Sequence, residues 1–466
     1  MSAPSQQMLD YVTSLTEADL TPRITQGAIG ALLDNLGCGL YGARQPWGAI
    51  LSEFVTGEGA RGRATLYGSR EPVSPVRAAF ANGTATHGFE LDDIILGALA
   101  HPGAVVVPAA LAAAEQYRAS GSRLLLGIVA GYEVMARVAA ALGSDHNNRG
   151  FHTTSVAGPV ASTVAAGIVM GLKMETLQNA IGIACSSASG IKAFTQGTGG
   201  MVKRTHAGRA SEAGVLACEL ASRGFSGPLQ AIDGKFGLLE VFGGNDVHLE
   251  CLTQMLEGVP AITRIWVKVY PCCGLIHTTA HALEKMKREH RINPADVTGV
   301  RVRSSKRAVI QNGGRDASDT MSAQYSIPFC AGVALAADAR DPASFAPENL
   351  GNREVHRIAD ATQLEVDAGM EALYPAHFAA HVDVELKDGR KFTESVIDAH
   401  GTPADPVTLA DLERKFRGMA AACMTKSAID DVIISVRALP AAGNVEALSH
   451  ALRAVTPPVV AASIAA

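Results

Sequence analysis

The sequence predicts a mainly α fold: a large all-helical domain combined with a smaller α+β domain. Three observations predict it. From residue 5 to about 265, Ala-rich apolar segments of helical length alternate with short Gly, Pro or Asn breaks. Near residue 264 the texture changes to short alternating runs. Beyond residue 400 the helical period returns. The expected boundaries are therefore 1–265 together with 401–466 for the helical domain, and 266–400 for the smaller one.

In chain order, helices are expected over Pro22–Tyr41, Pro75–Phe89, Pro102–Ser120, Leu124–Leu142, Ser155–Gly171, Met174–Ser187, Ala207–Arg223 and Val247–Glu257. Several begin at proline, which suits the first helical position because its missing N–H has no partner there anyway. The segment Arg264–Tyr270 alternates like a strand, Thr278–His290 reads as a helix, and Val297–Ser304 alternates again. His381–Leu386 and Lys391–Val396 flank the turn Lys387-Asp388-Gly389-Arg390, a hairpin signal. Helices Leu409–Ala422 and Asn444–Ala454 are expected to pack back on the large domain, with Thr456–Ala466 as a loose end.

Composition narrows the function. Hydrophobic residues make up 47% and aromatics 5%, with 47 glycines, so the core is built from small side chains that let helices pack closely. The net charge is −5 and no long basic run occurs, which argues against nucleic acid as a partner. Eight cysteines contain no CxxC pair and read as reduced thiols filling the core of a cytoplasmic protein. The apolar stretches Leu124–Ala141 and Val156–Leu172 are interrupted by polar residues and read as buried helices rather than membrane spans. The motifs GxxxxGK[ST], HExxH and GxSxG are missing, and Gln196-Gly197-Thr198-Gly199-Gly200 lacks the strand–helix context of a phosphate loop.

A positional pattern carries the chemistry instead. His101 precedes Pro102; His152 precedes Thr153-Thr154-Ser155; Lys203 and His206 open the helix after a Gly-rich turn; His277 opens Thr278–His290. Helix N-termini offer unpaired N–H groups and the positive end of the dipole. A cation beside such an end is unfavourable unless an anion lies between them. Four such places suit a substrate bearing several carboxylates. Each group also has an ordinary reading, as a solvated charge or a satisfied side chain, and their convergence is not visible in sequence.

At these same residues the chain resembles the MmgE/PrpD family, which includes 2-methylcitrate dehydratase, cis-aconitate decarboxylase and iminodisuccinate epimerase. The resemblance rests on Asn82 through Asp93, His101-Pro102, Gly150-Phe151-His152, Gly199 through Gly208, Tyr270 through His277, and Ala323-Gln324-Tyr325-Ser326, and runs from about residue 8 to 450. It implies a helical body with a small α+β lid, the active site between them, a homodimer, and no metal or organic cofactor. The family's active-site positions match Asp92, Asp93, His101, His152, Lys203 and His277, with His206, Tyr132 and Phe329 on neighbouring positions. After the Asp-Asp pair, where dehydratase and decarboxylase members carry a Thr and a polar stretch, this chain has the apolar run Ile94–Ala100.

The reaction expected is removal and return of a proton α to a carboxylate of a small polycarboxylate. Lys203, His101 and the helix ends would stabilise the enediolate, His152 and Lys203 would act as the two bases, and Asp93 would orient a His. Asp92, Arg204, His206, His277, Tyr132 and Phe329 are the expected substrate contacts, and Arg209 is a further candidate. A dehydratase must protonate a leaving hydroxide, whereas an epimerase needs only two acid/base groups, so the apolar run tilts the reading toward an iminodisuccinate-type epimerase. The alternatives are a lyase of the 2-methylcitrate or cis-aconitate type and a non-catalytic polyanion-binding protein.

Overall fold

The computed structural model describes residues 2–195, 200–255 and 258–456. The expected Gly-rich turn before residue 200, the end of the expected helix Val247–Glu257 and nearly all of the expected loose C-terminal end lie outside the described residues. The chain forms two compact units: Met1–Gly88, Asp92–Ile265 and Thr408–Ala466 make one, and Phe89–Leu91 with Trp266–Val407 the other.

The first unit is helical. It contains α1 (Pro4–Ser14), α2 (Pro22–Ala43), α3 (Pro46–Gly57), α4 (Pro75–Thr86), α5 (Gly103–Tyr117), α6 (Gly121–Ala141), the short α7 (Asp145–Asn148), α8 (Thr153–Met170), α9 (Met174–Cys185) and α10 (Met201–Ala221). A two-residue ribbon, β1 (Ala64–Thr65) with β2 (Pro72–Val73), interrupts them. Helix α10 packs on α8, α4, α9 and α5, while α6 lies against α8. Small residues set these close crossings, as the composition leads one to expect. A Cβ on Gly208 of α10 would lie 2.1 Å from Thr84 Oγ1 and 2.3 Å from the Phe80 carbonyl oxygen, so no larger residue fits where α10 crosses α4. Helices α6 and α8 are long and apolar enough to cross a membrane, and 94% and 89% of their apolar windows are buried inside the protein.

Glu133 and Arg137, the charges interrupting α6, form a buried pair at 2.7 Å. Arg137 also donates to the Leu252 carbonyl oxygen at 3.2 Å. One expectation is not met: Val247–Glu257 does not form an α-helix within its described residues but only the single 3₁₀ turn Leu249–Leu252.

The second unit contains α11 (His277–His290), β3 (Val297–Ser304), α12 (Lys306–Asn312), α13 (Thr320–Gln324), α14 (Ile327–Ala336), α15 (Arg353–Asp360), β4 (Thr362–Val366), α16 (Ala368–Leu373), β5 (Ala380–Leu386) and β6 (Lys391–Val396). Its sheet has the order β4-β3-β5-β6, with β3 and β4 parallel and the other pairs antiparallel. Helix α11 covers β5 and β6 and packs on α14, which packs on α15. The alternation of β5, buried at Ala380, Val382, Val384 and Leu386, is that of a half-buried strand. The hairpin turns at Gly389, whose φ of 84° suits a residue without Cβ.

Arg264–Tyr270 does not join this sheet. Trp266, Val267 and Lys268 are buried in succession, which breaks the two-residue period. Lys268 is held there by Glu90, 3.2 Å away within the same unit. The chain then returns to the first unit with α17 (Leu409–Ala420), α18 (Lys426–Ala438) and α19 (Glu446–Arg453); α17 packs on α2 and α19 on α18. Helices α1, α3, α7, α12, α13, α14, α15, α16 and α18 fall outside the set expected from sequence. The protein is thus mainly α, with a smaller α+β unit.

Candidate active site

Three helix starts in the first unit carry the candidate groups. Helix α4 ends at Thr86 and runs into the 3₁₀ turn His87–Phe89. Asp92 and Asp93 follow, and the apolar run Ile94–Ala100 closes on itself through the Ile95 N–H and the Ala100 carbonyl oxygen at 2.9 Å. Its Ile94, Ile95, Ala98 and Ala100 side chains are buried. The closed loop returns the chain so that His101 Nδ1 lies 3.0 Å from the Asp93 carbonyl oxygen, and α5 begins at Gly103. His152 occupies the N-cap of α8 without a side-chain capping bond. The His101 N–H donates to Thr154 Oγ1 at 3.2 Å, which fastens the start of α5 to the start of α8.

Helix α10 starts earlier than expected, at Met201, so Lys203 and His206 lie inside its first two turns rather than ahead of it. They are three residues apart and therefore share a helix face. Both are buried, at 4% and 7% exposure.

Asp92, not Asp93, is the carboxylate that orients imidazoles. Asp92 Oδ2 is 2.6 Å from His87 Nδ1 and 3.3 Å from His101 Nδ1. Burial pushes the Asp92 carboxyl up, but the charges of His87 and His101 and the hydrogen bonds from both rings outweigh it and hold it well below the usual range. Asp93 instead caps α5: Oδ1 accepts from the Gly103 N–H at 2.9 Å, and Oδ2 accepts from the Tyr132 hydroxyl at 2.6 Å. Burial, then the nearby Asp34 charge, raise Asp93 to about 7, while the bonds from Tyr132 and Gly103 act the other way. Two adjacent carboxyls are thus driven apart, one firmly ionised and one titrating near neutrality.

His87, Asp92 and His101 bring ligand-type atoms within 4.8 Å of one another, close enough to reach one ion. The separation of 2.6 Å between His87 Nδ1 and Asp92 Oδ2 is that of a direct hydrogen bond, so this arrangement is a His–carboxylate–His triad. Two of its buried atoms, His87 Nε2 and Asp92 Oδ1, have no hydrogen-bond partner among the described residues.

His87 stacks on His152 at 5.8 Å between ring centroids and meets His101 edge-on at 4.9 Å. His152 Nδ1 lies 3.0 Å from His206 Nδ1, and Phe194 sets its edge against both rings. Burial, followed by the charges of His87, Lys203, His206 and His101, holds His152 well below the ordinary imidazole value. Burial, then His87 and Lys203, bring His206 to about 4. These two rings are therefore neutral at pH 7 in the free protein, not the cations expected from their helix-start positions. An anion placed among them would favour the protonated forms.

The structure thus gathers Lys203, His101, His152, His206, Asp92, Asp93 and Tyr132 in one unit. Arg204 is buried with them, its Nε donating to the Gly88 carbonyl oxygen at 2.8 Å and its guanidinium 3.9 Å over the Trp47 ring. Arg209 faces solvent and pairs with Glu212. His277 and Phe329 belong to the second unit. His277 is the first residue of α11, fully buried beside Trp266 and Tyr270, and Phe329 is a core residue against Phe345 and His356.

Sequence reasoning missed His87, Asp34, Asn35, Phe194 and Lys415. His87 sits five residues before Asp92 inside a quoted motif, and that spacing was its signal. Asn35 Nδ2 donates to the Tyr132 hydroxyl at 3.3 Å. Lys415, from α17, pairs with Asp34 of α2 at 2.6 Å. Nothing local marks that pair, because its members come from opposite ends of the chain.

Models of the MmgE/PrpD N-terminal domain and the MmgE/PrpD C-terminal domain match residues 6–250 and 270–440. The chain belongs to the MmgE/PrpD family. Its curated relatives include the cis-aconitate decarboxylase-like protein oryM of Aspergillus oryzae, 27% identical over 95% of both chains. A cis-aconitate decarboxylase of Aspergillus terreus is 28% identical over 93% of each. The human cis-aconitate decarboxylase is 26% identical, covering 97% of this chain and 95% of its own. These relatives carry the names cis-aconitate decarboxylase or cis-aconitate decarboxylase-like protein, and this MmgE/PrpD protein aligns with each over nearly its whole length.

Proposed function

We propose that the protein is a lyase acting on a small unsaturated polycarboxylate, of the cis-aconitate decarboxylase type. In such a reaction the bond between one carboxylate and its neighbouring carbon breaks and CO₂ leaves. The electron pair spreads over the adjacent C=C and carboxylate, and a proton is delivered to carbon. The protein must hold the remaining carboxylates, stabilise the carbanion and supply that proton. The observation that carries the reading is the cluster of the His87, His101, His152 and His206 rings at three helix starts and the end of α4, with the Lys203 charge acting on His152 and His206 and ionised Asp92 behind them. In this reading Lys203 and the N–H groups of α5 and α8 hold carboxylates, and His101 and His152 handle the proton.

The apolar loop Ile94–Ala100 favours a second reading, the iminodisuccinate-type epimerase, since that side of the cluster contributes no polar side chain for a leaving group. Incubation with cis-aconitate, 2-methylcitrate and stereopure iminodisuccinate separates the readings. Release of CO₂ from cis-aconitate is expected. A new C=C absorbance with 2-methylcitrate alone marks a dehydratase, and loss of optical rotation from iminodisuccinate without CO₂ or a new chromophore marks the epimerase. Saturable polyanion binding with no substrate hydrogen exchanged in D₂O marks a binding protein.

A further inference from the structure

We infer that His206 is a positioning residue that fixes the tautomer and ring orientation of His152, rather than a direct contact of the substrate. This rests on the reading that His152 handles the substrate proton. The two rings meet Nδ1 to Nδ1 at 3.0 Å. A hydrogen bond between two imidazoles at that distance needs one Nδ1–H and one bare Nδ1, so the pair admits a single proton between them. With both rings protonated, two N–H groups would point at each other. The bond therefore commits His152 Nδ1 to His206 and leaves Nε2 as its only atom for chemistry.

The surroundings hold that arrangement in place. The His152 N–H donates to the Gly190 carbonyl oxygen at 2.9 Å, Phe151 bridges Ile191, and the Lys192 N–H donates to the Gly150 carbonyl oxygen at 2.7 Å. This strap passes so close that a Cβ on Gly190 would lie 2.5 Å from Ser155 Cβ and 3.4 Å from His206 Nδ1. Phe194 closes the remaining side, 6.0 Å from the His152 ring and 5.6 Å from that of His206. The other groups acting electrostatically on the pair are His87, His101 and Lys203, all cationic or able to become so. Among the described residues no carboxylate hydrogen-bonds either ring. His152 is thus oriented by a neutral partner, unlike His87 and His101, which share Asp92. A carboxylate partner would raise the basicity of His152; a histidine partner orients it while leaving it a weak base and, once protonated, a ready proton donor.

The test compares His206→Phe, which keeps an aromatic ring against Phe194 and removes the hydrogen bond, with His206→Asn, whose amide lies near the Nδ1 position. In the substrate-free full chain with ¹⁵N-labelled histidine, His152 is expected to show one fixed tautomer in wild type and in His206→Asn, and a mixed, more basic ring in His206→Phe. In turnover, His206→Phe is expected to lower kcat ~10–100-fold with KM little changed and to shift the pH profile, and His206→Asn to recover most of the loss. A His152 resonance and pH profile unaltered by His206→Phe would overturn the assignment, as would a raised KM at unchanged kcat. The NMR readout needs no substrate. Loss of the fixed tautomer in a chain that turns over none of the tested acids upholds the positioning role and sinks only the functional reading.

Discussion

Replacing Asp93 by Asn should make stability less sensitive to pH, and the structure gives the size of the effect. Asp93 is fully buried, beside the Asp34 charge, with its carboxyl raised from the ordinary 3.8 to about 7. The folded protein therefore holds this proton more tightly than the unfolded chain does. Stability from this group is complete below about pH 4 and is lost as pH rises through about 7. A gap of roughly three pH units corresponds to at most about 4 kcal/mol. Asparagine keeps an oxygen for the Gly103 N–H, so the α5 cap survives. Urea denaturation of both proteins at pH 5.5 and pH 8.5 isolates the term, since the other groups titrate in both and largely cancel. By pH 5.5 about 2 kcal/mol of this stability is already lost and by pH 8.5 about 2 kcal/mol more, so the stability of the variant relative to the parent should grow by about 2 kcal/mol between the two pH values. Parallel pH profiles would show that Asp93 does not titrate near neutrality and that the reasoning from burial and Asp34 is wrong.

Other substitutions probe the same frame. Tyr132→Phe removes the hydroxyl that donates to Asp93, so the pH midpoint of the Asp93 transition should move upward, with an added cost of about 1–3 kcal/mol from the lost partner of Asn35, read in the same denaturation series. Lys203→Ala should lower kcat by ~10²–10⁴-fold while leaving circular dichroism unchanged, and near-normal turnover would remove Lys203 from the mechanism. The same variant should raise the titration midpoints of His152 and His206, because the Lys203 charge depresses both, as histidine NMR would show. Gly208→Ala should destabilise by about 1–3 kcal/mol or more, since its Cβ would meet Thr84 Oγ1 and the Phe80 backbone; an unchanged melting temperature would mean that α4 and α10 are not so close.

The sequence by itself determined the kinds of element and their order. Period-3.6 segments became α2, α4, α5, α6, α8 and α9, and the alternating runs β3, β5 and β6 formed as read, because local periodicity records which side of an element is buried. It also placed His101 and His152 at helix starts, since Pro and Thr mark such positions. The alternation of Arg264–Tyr270 misled, because burying Lys268 against Glu90 overrode the period. What only the tertiary structure decided is which groups face one another. Asp92 rather than Asp93 serves the imidazoles, His206 serves His152 from 54 residues away, and Lys415 reaches Asp34 from the far end of the chain. The protonation of each follows from that. A proton's free energy depends on burial and on charges a few ångströms distant in space, and a helical period says where a residue points, not what stands opposite it.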